Sequence, residues 1–171
     1  THPHGREAEA VAGEGVNVKE FGADGTGAKD DTAAIQAALA KAGESGGGVV
    51  FLPRGRYQVT ETLSIPRFVV LRGERTDLVA LFWPDMPKPP TALIQGSNSF
   101  GVENVTLYAS NHLHGIVSDQ GKPDAGDVFV RRVRLRADAY RGHLKPEQVD
   151  ERFRAALRAS SGGGDSIRLG G

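Results

Sequence analysis

The stretch "SNHLHGIVSDQGKPDAGD", residues 110–127, holds the densest group of titratable side chains: His112, His114, Asp119, Asp124 and Asp127. Two carboxylates on either side of a groove can act as acid and base, or as acid and nucleophile. That makes Asp119 and Asp124 the candidate catalytic pair, with His112 and His114 as candidate substrate contacts. A plainer role fits equally, with Asp119 and Asp124 shaping a Pro/Gly turn and the histidines lying on the surface. A histidine–aspartate metal site would need a ligand spacing that this stretch lacks, so no metal ligand is assigned. A second group is "RRVRLR". With Val133 and Leu135 pointing inward, Arg132, Arg134 and Arg136 would share one outward strand face, spanning about 13 Å at ~3.3 Å per residue. Guanidiniums at that pitch can hold carboxylates or sulfates through forked contacts, or simply form a solvated face. Phe82 and Trp83 in "LFWPDMPKPP" are stacking platforms or packing residues, and Tyr108 and Tyr140 are open in the same way.

The chain that must position these groups has 171 residues and a mass of 18.1 kDa, enough to bury a core without staples. Its 21 basic and 21 acidic residues balance, so nothing global points to nucleic acid or an anionic membrane. Between Arg131 and Arg168 the ten Arg and Lys exceed the five Asp and Glu. Cysteine is absent, which removes disulfides, thiolate metal sites and a thiol nucleophile. No apolar run approaches the ~20 residues needed to span a bilayer. The polar opening "THPHGREAEA" fits a processed or recombinant start, and residues 1–15 read as a disordered lead or tag remnant.

Further along, "VNVKEF" predicts a short strand. Ile35, Ala38, Leu39 and Ala42 make an apolar stripe at helical spacing, with Asp30 or Asp31 as its N-cap and Gly43 at its end. "VVFLP", "RYQV", "TLSI", "FVVLRG", "TALIQG", "VENVTLYA", "HGIVSD" and "DVFVRRVRLRA" are short β-branched segments cut by Gly, Pro, Asn and Asp. Their irregular spacing, roughly ten to twenty residues, suits a solenoid of parallel strands with loops of variable length. A helical stripe of Val149, Phe153, Ala156 and Leu157 predicts one inserted amphipathic helix at about 146–159. Such a helix could wall a groove or face solvent with Arg152, Arg154 and Arg158.

The glycine-rich loop ahead of the first helix needs its own explanation. Gly22 to Gly27 has the glycine spacing of a phosphate-binding loop, but Ala28, Lys29 and Asp30 follow where Lys and a hydroxyl residue belong. Read as a calcium loop from Asp24, it puts Lys29 at the sixth position and Ile35 at the twelfth. Both readings fail, leaving a helix starter. Residues 16–66, however, carry V-x-x-F-G-A-x-G-x-G-x-x-D-D-T-x-A-I-Q-x-A followed by G-G-G-x-V-x-L-P-x-G-x-Y. This pattern resembles the N-terminal cap of the pectate-lyase-like right-handed parallel β-helix superfamily.

The resemblance implies an all-β solenoid, a right-handed parallel β-helix with an N-terminal capping α-helix that shields the open core. Residues 16–66 would be the cap and 67–171 the first coils, with the catalytic coils and the partner of the open end expected beyond Gly171. Relatives in this superfamily cleave or epimerise polysaccharides, and some are phage tailspikes. The implied function is therefore the N-terminal part of a secreted or periplasmic enzyme cleaving a polysaccharide, with a polysaccharide, neutral or acidic, as the expected partner. Hydrolysis needs two carboxylates, whereas elimination from a uronide needs a base and neutralisation of the uronate by Arg or calcium. A glycoside hydrolase is preferred because no acidic calcium cluster is visible, so calcium enters only with lyase chemistry and no other cofactor is expected. The competing class is a glycan-binding tailspike or adhesin without turnover.

Overall fold

The structure is a computed structural model that describes residues 15–110, 114–118 and 126–138. The expected lead, Tyr140 and the helix at 146–159 lie outside the described residues, apart from Gly15.

Thirteen strands are described, and all their pairings are parallel. The first sheet contains β1 (Val16–Asn17), β3 (Gly48–Leu52), β6 (Val69–Gly73), β9 (Gly101–Glu103) and β12 (Phe129–Arg131), in that spatial order. The second contains β2 (Thr26–Asp30), β4 (Gly55–Gln58), β7 (Val79–Trp83), β10 (Thr106–Ser110) and β13 (Arg134–Asp138). The third contains β5 (Leu63–Ile65), β8 (Ala92–Gly96) and β11 (His114–Ser118). From β3 onward the chain visits the three sheets in rotation and adds one strand to each on every pass.

Because side chains alternate along a strand, this register stacks like on like. Val50, Leu71 and Val102 form one inward column, Tyr57, Leu81, Leu107 and Leu135 a second, and Leu63, Ile94 and Ile116 a third. They meet in a single apolar core that also holds Trp83 and Phe100. The Tyr57 hydroxyl is satisfied inside it, donating to the Pro53 carbonyl at 2.7 Å.

The single described helix, α1 (Thr32–Glu44), buries the stripe Ile35, Ala38, Leu39 and Ala42 against β1, β3, β5 and β6. It therefore covers the first strands at one end of the core. Its Gln36 amide also finishes the open edge of β5, since Nε2 donates to the Ser64 carbonyl at 2.9 Å and Oε1 accepts from Ser64 N–H at 3.0 Å. A side chain here replaces a missing strand on an edge that would otherwise be free to pair.

The loop ahead of α1 resolves the two aspartates. Asp31 occupies the N-cap position but makes no side-chain cap bond. Its buried carboxylate instead turns back and accepts from Asp24 N–H at 2.7 Å and Gly25 N–H at 2.9 Å. Asp30 takes over at the helix, accepting from Thr32 N–H at 3.0 Å and from the Thr60 hydroxyl at 2.7 Å. Gly25 sits at φ +69, and a Cβ there would meet Lys19 Nζ at 2.6 Å and the Tyr57 ring at 3.0 Å.

Several element boundaries differ from the sequence reading. "VNVKEF" yields only the two-residue β1 before a 3-10 turn, Val18–Phe21. Residues 26–30, read as loop, pair with β4 as β2. β7 was not among the expected strands, because its aromatic residues run straight into Pro84. Two expected strands are each split by a left-handed residue, Asn104 at φ 58 and Arg132 at φ 51. At these corners the chain passes from the first sheet to the second, and alternation continues on both sides of the break.

Candidate basic and aromatic face

The outward residues of the second sheet form two rows across its strands. Arg56, Ala80, Thr106 and Arg134 are register partners in one, and Gln58, Phe82, Tyr108 and Arg136 in the next. The two arginines of the first row stand three strand steps apart, about 14 Å at the backbone. Short side chains between them leave a cleft of ≈ 420 Å³ whose rim includes Arg54, Thr76 and Asp77.

Two of the guanidiniums on this face rest on rings. Arg56 lies over Phe82 at 4.4 Å from the ring centre, and Arg136 over Tyr108 at 5.8 Å. Such placement is attractive in itself and leaves the N–H donors free to point outward. Among the described residues Asp77 is the only carboxylate lining the cleft. Arg75 grips it with two contacts, Nε to Oδ1 and Nη2 to Oδ2, the second at 2.8 Å. The hydrogen bond from Arg75 holds the Asp77 carboxyl below its usual range, with Arg75 and Arg134 adding charge.

The first sheet carries a different ion cluster. Glu103 is 3% exposed and lies in register between Arg72 and Arg131. It accepts from Arg72 Nε and, at 2.8 Å, from Arg131 Nη2. Burial alone would raise the Glu103 pKa, but the bonds and charges of Arg72 and Arg131 outweigh it and hold the group below its ordinary 4.5. The pairing consumes these charges, so the cluster is structural.

Of the sequence candidates, Asp119, Asp124 and His112 lie outside the described residues. His114 opens β11, half-buried, with Nδ1 buried and without a hydrogen-bond partner among the described residues. Arg134 and Arg136 are exposed on β13, as the alternation required. Arg132 departs from the expected ladder, because its left-handed backbone puts it in the corner before β13, where its carbonyl accepts from the Thr76 hydroxyl. The expected trio on one strand is thus a pair. Trp83 points into the core and donates to the Glu61 carbonyl at 2.9 Å, while Phe82 faces out. Sequence reasoning missed Arg54 and Arg56. The strand reading of "RYQV" held the only signal, since its alternation turns Tyr57 inward and its neighbours outward. Among the described residues no three His, Asp or Glu come together as a metal site.

Comparison with known proteins finds relatives for the N-terminal part of this architecture. Residues 15–83 match the family described as "Rhamnogalacturonase A/epimerase, pectate lyase-like". Mannuronan C5-epimerase AlgE3 of Azotobacter vinelandii is 64% identical over 44 residues, 26% of this chain and 2% of that protein. The solved A-module of Azotobacter vinelandii mannuronan C-5 epimerase AlgE6 superposes with a TM-score of 0.61 at 29% identity, covering 71% of this chain and 38% of the module. The pre-neck appendage protein of Bacillus phage B103 is 33% identical over 94 residues, 54% of this chain and 10% of that protein. The chain thus matches only a small share of each relative's length. Its N-terminal part, residues 15–83, is similar to the pectate-lyase-like superfamily.

Proposed function

We propose that this chain is the N-terminal part of an enzyme acting on an acidic polysaccharide of the mannuronan type, and that its three sheets are the faces of a right-handed parallel β-helix capped by α1. The observation that carries the proposal is the likeness to the AlgE6 A-module, 29% identical over 71% of this chain. In a mannuronate unit the carboxylate acidifies the hydrogen on C5. A base removes that proton while cationic donors neutralise the carboxylate, whose negative charge grows as the enolate forms. Returning a proton to the opposite face gives the epimer, and expelling the C4 oxygen instead gives elimination. Asp119, Asp124, His112 and His114 are the candidates for proton transfer, and Arg134 and Arg136 for holding carboxylates. Arg132, in its corner, is the weakest of the three arginines for that task.

Hydrolysis, the chemistry first preferred, would use Asp119 and Asp124 as an acid and base pair and is the alternative reaction on the same polymer. A polymer of this kind is met outside the cytoplasm, so the proposal includes secretion or a periplasmic location. The match to a phage appendage favours one further reading, a glycan-binding β-helix without turnover. Incubation with polymannuronate in D2O separates all of these. Deuterium at C5 with inverted configuration supports epimerisation, unsaturated ends support elimination, and new reducing ends without unsaturation support hydrolysis. With the full-length protein, a polymer that is bound but left unchanged would sink the enzymatic proposal in favour of the adhesive one.

A further inference from the structure

We propose that the cleft at the head of the second sheet is an anchoring subsite for a carboxylated sugar, with Arg56 and Arg134 as its two anion clamps and Tyr108 as its aromatic wall. The cavity of ≈ 420 Å³ lies in the range of sites that hold small ligands. Its chemistry is that of an acidic sugar. A pyranose presents C–H groups to an aromatic face and a carboxylate at its edge, and here rings and guanidiniums adjoin.

Three observations argue against a merely solvated surface. Arg56 and Arg134 make no ion pair among the described residues, although other arginines nearby do. The two side chains between them in register, Ala80 and Thr106, are short enough to leave a trough where long residues would have filled it. Asp77 faces the trough but is paired with Arg75, which offsets its repulsion of an incoming anion. The Thr106 hydroxyl is already committed, donating to the Thr76 carbonyl at 2.7 Å, so the arginines supply the donors. The site itself rests on this geometry alone. Naming its ligand a uronate rests on the proposed function.

The test is calorimetric titration with an oligomannuronate, with the same oligomer after reduction of its carboxyl groups, and with a sulfated neutral oligomer. Binding of the uronate alone, weakened about tenfold or more in Arg56→Gln/Arg134→Gln and several-fold in Tyr108→Ala, supports the subsite. Equal affinity for the carboxyl-reduced oligomer, or tighter binding of the sulfated one, overturns the assignment. So does an unchanged Kd in the double variant with an unaltered melting temperature. If that variant does not fold, Arg134→Gln alone, at an exposed strand end, carries the same test. Failure of the function is distinct from failure of the site. Turnover of polymannuronate with KM unmoved in the variants rejects the subsite only, whereas arginine-dependent uronate binding without turnover rejects the enzymatic function only.

Discussion

At the scale of single residues, Glu103 is a buried charge held by two arginines. A carboxylate that is 3% exposed is tolerable only because Arg72 and Arg131 both reach it. Substitution Glu103→Gln keeps the shape but removes the charge that both guanidiniums answer. We expect a loss of about 1–3 kcal/mol at neutral pH, measured by urea unfolding. The folded pKa lies below the ordinary 4.5, so this stability is present above pH 4.5 and is lost as pH falls through the folded value. Asp24, Asp30 and Asp77 are lowered as well, so the wild-type curve alone does not isolate Glu103. The difference between wild type and Glu103→Gln does, and it should shrink steadily on acidification below pH 4.5. A difference independent of pH would refute the charge argument.

At the scale of elements, α1 does two jobs with different energies. Its buried stripe closes the core, and Gln36 closes the edge of β5. Leu39 is fully buried, so Leu39→Ala should cost about 2–5 kcal/mol through lost contacts and a residual cavity. The bonds from Gln36 sit at an exposed edge where water can replace them, so Gln36→Ala should cost only about 0.5–1.5 kcal/mol. Urea midpoints with unchanged slopes would check both. A Gln36→Ala loss as large as that of Leu39→Ala would mean that the edge, not the packing, holds the helix. The consequence of Gln36→Ala should instead appear as association, since an uncovered strand edge invites another. Light scattering at rising protein concentration reads that directly.

For the molecule as a whole, formal charge sums to zero, with 21 residues of each sign. Long-range attraction of a polyanion is therefore weak, and binding must come from local arrangement on the second sheet. Raising salt from about 0.05 M to about 0.5 M should weaken oligomannuronate binding roughly five- to tenfold, because exposed guanidiniums are screened. The Arg56→Gln/Arg134→Gln variant should lose most of that salt dependence. Salt dependence that survives in the variant would move the binding surface elsewhere, toward Arg54 or Arg136.

The sequence by itself determined the cap and the β character of the chain. The Asp30–Asp31 pair, the helical stripe from Ile35 to Ala42 and the turn "GGG" act over a few residues, so their meaning survives without knowledge of the rest. Alternation in "RRVRLR" likewise placed Arg134 and Arg136 outward, since that is a property of one strand. It failed at Arg132, because one left-handed residue ends a strand without interrupting the pattern of residue types. The tertiary structure alone decided what lies beside what. Arg56 and Arg134 share a row, Glu103 sits between two arginines, and Phe82 faces out while Trp83 faces in. These neighbours are set by register between strands far apart in the chain, and a register shift of one residue would exchange the two faces. No local run of residues encodes that choice; the joint packing of the inward columns does.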